Sequence, residues 1–240
     1  MNYKLYHFSS LTSTQDKAKE FAKKRLSDAV IISDIQAKGR GRFNRKWHSS
    51  KGGLWMSILL KPDKAENLQY LTFAAAVSVA KSIKKITGIS AKIKWPNDVH
   101  YKGKKLCGIL TEGIFGKENY VVVGIGLNAN QKIFPEDIRK IASSLRIIKN
   151  KNYNIEKLSI KIINEFFSIY DKLYNKTKLE NILTMWKKYS DTLGKNVEVA
   201  TRTGKFHGIA VGVDHECRLL VQSENKKIIT ITEGDVSVRY

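Results

Sequence analysis

The chain has 240 residues, 42% of them hydrophobic, with 43 Lys and Arg against 22 Asp and Glu and a formal charge of +21. This is apolar enough for one large domain, or a main domain with a small appendage, and it excludes wholesale disorder. The charge would suit a polyanion, but only nine of the 43 cations are Arg, and the Lys residues are spread over the whole length. That pattern fits a solvated surface or a compositional bias better than one nucleic-acid face.

In chain order, MNYKLYHFSS lacks the apolar stretch of a signal peptide, and no apolar run reaches the length of a bilayer span. A cytoplasmic protein without membrane contact is expected. LTSTQDKAKEFAKKRL predicts a helix capped by Thr12 or Ser13, with Ala18, Phe21, Ala22 and Arg25 at helical spacing. AVIIS, Ala29 to Ser33, predicts a buried strand, and LWMSILL, Leu54 to Leu60, a second. Leu68 to Thr87 predicts an Ala-rich helix stopped by Gly88. AKIKW, KLCGILTEGIF and YVVVGIGL predict three strands, the last two joined by a hairpin over Gly116 to Asn119.

Further on, Ile155, Leu158, Ile162, Phe166, Ile169 and Leu173 share one helical face, and Leu179, Ile182, Leu183 and Trp186 another. After Asp191 about five short strands follow at turn-punctuated intervals, the mark of a small barrel. Grouped helices beside strand-rich stretches argue for α+β rather than a doubly wound sheet. Cys107 and Cys217 have no CxxC spacing and the five histidines no zinc-ligand spacing, so a reduced compartment and no disulfide framework are expected.

Three stretches carry chemistry. Between Asp34 and Asp63 stand Lys38, Arg40, Arg42, Arg45, Lys46, Lys51 and Lys61 with no acid among them. Such a segment repels itself unless an anion arrives. In QAKGRGRFNRKW, Gly39 and Gly41 let backbone N–H groups approach a ligand, Arg40 and Arg42 offer planar forks for carboxylate or phosphate, and Trp47 offers a stacking face. KWPNDVHYKGKKLCGIL places Lys94, Asn97 and Asp98 around a turn, and Lys105 three residues before Gly108, where a small residue lets something pack close. GIGLNA, Gly124 to Ala129, fits a dinucleotide fingerprint, but no helix pattern and no later acid follow it. A strand end open to a ligand, with Asn128 offering an amide, is the better reading.

QAKGRGRFNRKW, KWPNDVHYKGKKLCGIL and VGIGLNAN, in this order, resemble the biotin protein ligases, also called biotin–[acetyl-CoA-carboxylase] ligases. Ser13-Thr14-Gln15 matches that family's Ser-Thr-Asn/Gln motif, and EGDVSVR resembles the end of its small C-terminal domain. The resemblance spans essentially the whole chain, in the short form without an N-terminal DNA-binding domain. It implies a class II aminoacyl-tRNA-synthetase-like catalytic domain over 1–190, a mixed sheet with helices, and an SH3-like β-barrel over 191–240. It also implies two steps. The biotin carboxylate attacks the α-phosphorus of ATP, giving biotinyl-5′-AMP and pyrophosphate, and a lysine of a carrier domain then takes the biotinyl group.

By resemblance, Lys105, Arg40 and Asp98 are catalytic, Asp98 orienting Lys105 or accepting the proton of the incoming amine. Biotin falls to Ser13, Thr14, Gln15, Gln36, Arg40, Gly41, Arg42, Lys105 and Gly108. The nucleotide falls to Arg40, Arg42, Trp47, Asn97, Lys105 and Asn128, with Mg²⁺ on the ATP phosphates. The implied partner is the biotin carboxyl-carrier domain of a biotin-dependent carboxylase, without nucleic acid or membrane; a homodimer is compatible, but no interface face stands out. The rivals are a lipoate or octanoate–protein ligase of the same superfamily and, from another class, a basic nucleic-acid-binding module.

Overall fold

The computed structural model describes residues 3–62, 68–171, 176–201 and 204–238. Its first sheet contains β1 (Lys4–Phe8), β2 (Ala29–Ser33), β3 (Leu54–Leu60), β4 (Lys92–Lys94), β5 (Asp98–Tyr101), β6 (Lys104–Ile114) and β7 (Tyr120–Leu127). The strand order is β1-β2-β3-β7-β6-β5-β4. Only β1 and β2 run parallel, so the sheet is mixed. Every residue of β2 and β3 is buried, which explains why both read as unbroken apolar runs instead of alternating ones.

Helices cover both faces. On one side lies α1 (Thr14–Lys23), whose Ala18, Phe21 and Ala22 pack with Ile31, Leu59 and Val122. Its N-cap is Ser13, the side chain accepting from the Gln15 N–H, so the helix starts where the sequence predicts. It ends at Lys23, however, and Arg25 sits beyond it at φ 56, off the expected face. On the other side α2 (Leu68–Thr87) buries Ala74, Ala75, Ala76 and Ala80 completely; these small residues let it lie close to the sheet. Against it stand α4 (Ile155–Tyr170) and α5 (Lys176–Tyr189), after the short α3 (Leu145–Lys149). The α4 face is as expected, and Phe73 stacks on Trp186 of α5 with centroids 4.4 Å apart. Leu173 and the Leu179 side chain lie outside the described residues.

The second sheet is β8 (Asn196–Ala200), β9 (Lys205–Val213), β10 (Leu219–Gln222), β11 (Ile228–Ile231) and β12 (Asp235–Val238), antiparallel in the order β11-β10-β9-β8-β12. This is the SH3-like barrel. Its inner residues Val197, Val199, Ala210, Leu219 and Val221 join the same apolar cluster as the helices of the first sheet. The Trp95 indole N–H donates to the Cys217 carbonyl at 2.9 Å across that boundary.

Three elements escape the sequence reading. β1 has mostly exposed side chains and little apolar pattern; it exists because Lys4 to Phe8 pair with Ala29 to Ser33. β5 lies where a Pro-Asn-Asp turn is expected: the turn stops at Asn97, and Asp98 already pairs with Gly108 of β6. α3 is too short to show a period, and it is fixed by Ser144, whose hydroxyl accepts from the Ile147 N–H.

Candidate active site

The basic stretch is not left to repel itself. Gln36 pairs with Ser49 and Arg40 with Lys46 as isolated bridges, the Trp47 N–H donates to the Gly39 carbonyl and the Gly41 N–H to that of Arg45. The segment is therefore a hairpin, reversed at Phe43 and Asn44, both at φ 55. Gly39 is required by crowding: a Cβ there would lie 2.3 Å from Ser49 Oγ and 2.6 Å from the Trp47 carbonyl. Carboxylates distant in sequence meet its cations. Arg40 Nη2 lies 2.7 Å from Asp16 Oδ1 and 3.4 Å from Glu112 Oε2. Arg45 pairs with Asp235, and Arg42 donates to the Gly234 carbonyl at 3.1 Å. Burial pushes the Arg42 guanidinium below its ordinary value, while Asp16 beside Arg40 raises that one.

Beneath the hairpin is a cavity of about 600 Å³, the size of a small-molecule site. Ser13, Thr14, Gln15 and Gln36 wall one end, and Arg40, Gly41, Arg42 and Trp47 come from the hairpin. Asn97, Asp98, Lys105, Gly108 and Asn128 come from the β5, β6 and β7 side. Every site residue expected from the sequence thus faces one space. The barrel adds Asp235 to Val238 of β12.

At the first end a polar network is already closed. Gln36 Oε1 accepts from the Thr14 N–H at 2.7 Å and the Thr14 hydroxyl at 3.1 Å, while its Nε2 donates to Ser49 Oγ. The buried Ser57 hydroxyl lies 2.8 Å from Thr14 Oγ1 and 2.9 Å from Gln15 Oε1. Gln15 Nε2 donates to Glu112 Oε2 at 2.8 Å and to the Leu110 carbonyl. Both ends of the Gln15 amide are therefore engaged by the protein.

On the strand floor, Lys105 Nζ stands 2.7 Å from Asp98 Oδ1, a charge pair rather than an aligned hydrogen bond, and 5.1 Å from the centre of the Trp47 ring. The expected close approach at Gly108 is this indole: a Cβ there would meet Trp47 Cζ3 at 3.1 Å, and one at Gly126 would meet Nε1 at 2.5 Å. The two glycines are register partners on β6 and β7. GIGLNA is thus a strand end that seats an indole, with no helix until Leu145. Asn97 Nδ2 donates to the Ile109 carbonyl at 2.7 Å, fixing that turn, and Asn128 is buried at the end of β7.

His100, on the cavity wall, is buried 3.1 Å from Asp191 Oδ2. Its burial lowers the imidazole pKa more than Asp191 raises it. Ser57, Asp16, Glu112 and Asp235 are absent from the sequence reading as site residues, and His100 enters it only as one of five histidines without zinc-ligand spacing. Glu112 alone carried a signal, since it follows Gly108 and Leu110 at strand period two and so shares their face.

The geometry describes a site for a small molecule with at least one anionic group, closed by a basic hairpin and bordered by a second sheet. Comparison with known proteins gives the class. The model of the biotin/lipoate A/B protein ligase family matches residues 6–128, and that of the biotin protein ligase C-terminal domain matches residues 192–239. The chain belongs to the biotin/lipoate A/B protein ligase family.

Within it, the relatives are biotin protein ligases. The bifunctional ligase/repressor BirA of Bacillus subtilis is 35% identical over 248 residues, covering 99% of this chain and 75% of that protein. The biotin–[acetyl-CoA-carboxylase] ligase of Mycobacterium tuberculosis is 26% identical over 88% of this chain and 79% of its own length. The solved biotin protein ligase of Aquifex aeolicus, in complex with biotin and ATP, superposes with a TM-score of 0.87 at 33% identity, covering 98% of each chain.

Proposed function

We propose that the chain is an ATP-dependent biotin protein ligase acting on carrier proteins through biotinyl-5′-AMP, with 1–190 catalytic and 191–240 as the SH3-like domain. The single observation that carries this reading is the cavity, which gathers the Ser13–Gln15 corner, the hairpin cations and the Lys105–Asp98 pair around one space. Joining a carboxylate to a phosphate brings two anions together, and that approach needs preorganised cations. Lys105, Arg40 and Arg42 supply them. Thr14 and Gln36, with Ser13, offer the hydroxyl and amide partners suited to a ureido ring. Gln15 stands at the same end, its amide, like that of Gln36, held in place by protein groups.

Gly41 and Gly108 keep the reacting region narrow, and Trp47, Asn97 and Asn128 border the nucleotide. Asp98 holds Lys105 toward the phosphate. ATP would enter as its Mg²⁺ complex, the ion carried on the substrate phosphates. Among the lining residues, Asn97 and Asn128 would serve the nucleotide or its metal. The hairpin turns Arg40, Arg42 and Arg45 onto partners within the protein, which favours a folded lid over a surface that tracks nucleic acid. A homodimer is compatible with this reading.

The acceptor is the biotin carboxyl-carrier domain of a carboxylase. A cytoplasmic site of action accords with two free, buried cysteines and with no described helix long and apolar enough to cross a membrane. The test is to incubate the protein with MgATP, a carrier domain and biotin, lipoate or octanoate in parallel reactions, and to map the products by mass spectrometry. One biotinylated lysine is expected; lipoylation or octanoylation without biotinylation would overturn the reading.

A further inference from the structure

Glu112 and Asp16 have no part in the ligand set proposed above, yet both meet the same nitrogen of Arg40. Nη2 lies 2.7 Å from Asp16 Oδ1 and 3.4 Å from Glu112 Oε2. Glu112 shares that Oε2 with the Gln15 amide at 2.8 Å, and its other oxygen is held by Lys19 Nζ at 2.8 Å. Arg40 and Gln15 line the cavity, while Glu112 stands behind them. Three elements thus meet at one carboxylate: α1 through Gln15 and Lys19, β6 through Glu112 itself, and the hairpin through Arg40.

A guanidinium is a rigid plane, so fixing one nitrogen from two sides sets the orientation of the rest. Both ion pairs run through Nη2, which fixes the plane and so the directions of the Nε and Nη1 N–H groups. The carboxylates are not equivalent. The Asp16 side chain is 48% exposed, while Glu112 is 27% and Arg40 21% exposed. The longer contact is therefore the less screened one, and Glu112 alone also holds the Gln15 amide.

We propose that Glu112, assisted by Asp16, is a positioning residue: it aims Arg40 at the anionic intermediate and locks the Gln15 amide in the same act. Filling the closed end of the cavity and closing the hairpin are thereby coupled through one oxygen. Lys19 matters indirectly, since its ion pair with Oε1 turns Glu112 so that Oε2 stays toward Arg40. The inference rests on the ligase reading.

The test is the half-life of labelled biotinyl-AMP retained by the full chain after gel filtration, for the wild type, Glu112→Gln, Arg40→Ala and the double variant. A glutamine keeps an acceptor for Gln15 but loses the charge that holds Arg40. Glu112→Gln is expected to shorten the half-life about five- to tenfold, in the range of a partly exposed charge-assisted bond. Arg40→Ala should shorten it further, and adding Glu112→Gln to Arg40→Ala should change nothing beyond twofold. A merely structural glutamate would instead act equally in both backgrounds.

Equal shortening in both backgrounds, or a Glu112→Gln half-life within twofold of wild type, would overturn the proposal. Should Glu112→Gln fold poorly by thermal denaturation, Asp16→Asn, at a more exposed position, takes its place with the same non-additive pattern expected at a smaller size. A wild type that forms no labelled intermediate would overturn the ligase reading and the inference together. Normal wild-type retention with an unaffected variant overturns the inference alone.

Discussion

Lys105 sits between two partners of different kinds, the Asp98 carboxylate at 2.7 Å and the Trp47 ring at 5.1 Å. Removing its charge takes a cation from the place where two anions must meet. Lys105→Ala is expected to slow formation of biotinyl-AMP by about 10²-fold or more, the size seen when a preorganised charge partner is lost. It should also leave Asp98 half-compensated, at about 1–3 kcal/mol, so the variant stays folded with a lowered Tm. Adenylate formation at near the wild-type rate would remove Lys105 from the chemistry.

His100 gives a pH effect whose sign follows from its burial. Its folded-state pKa lies below the ordinary value of about 6.5. On acidification the unfolded chain therefore takes up the proton first, and stability present above pH 6.5 is lost as the pH falls below it. Unfolding free energies of wild type and His100→Asn, measured by urea denaturation from pH 7.5 to 5, should converge toward the acid end. Parallel curves would contradict the assignment. Lys105, Arg40 and Trp47 were legible at this scale because their motifs are contiguous. His100 and Ser57 were not, since what marks each is a partner far away in the chain: Asp191 for one, Thr14 and Gln15 for the other.

Among the elements, the hairpin over 36–49 and the paired glycines of β6 and β7 form one device. The glycines remove Cβ atoms so that the indole of the hairpin can lie on the sheet. Gly126→Ala would set a methyl group 2.5 Å from Trp47 Nε1. The indole sits on a loop and can shift, so the stability loss should stay near 1 kcal/mol, at the mild end of overpacking. Retention of biotinyl-AMP should suffer much more, because Trp47 then no longer seats the hairpin. Comparing Tm with the half-life of the intermediate checks this; equal losses in both would mean that Trp47 only fills the core.

The helices and long strands of this layer were readable from period and run length. β1 and β5 were not, because edge pairing and a turn shorter than its motif made them strands. The internal neutralisation of the hairpin was equally hidden. Asp16, Glu112 and Asp235 lie on α1, β6 and β12, and no local rule relates them to Arg40 or Arg45.

Over the whole molecule, the barrel is no loose appendage. The Arg45–Asp235 pair, the Arg42–Gly234 bond and the Trp95–Cys217 bond tie it to the catalytic sheet, and one apolar cluster runs through both. A single cooperative heat-capacity peak is therefore expected in calorimetry; two separated transitions would show that the units fold independently. The two-sheet division was visible in the changed strand rhythm after Asp191, whereas the shared core depends on tertiary contact and was not. If the cavity joins biotin to AMP, the protein must exchange labelled pyrophosphate into ATP. Exchange is expected to require biotin, to find no support from lipoate or octanoate, and to fall about 10²-fold or more in Lys105→Ala. Exchange independent of biotin, or none in its presence, would contradict it.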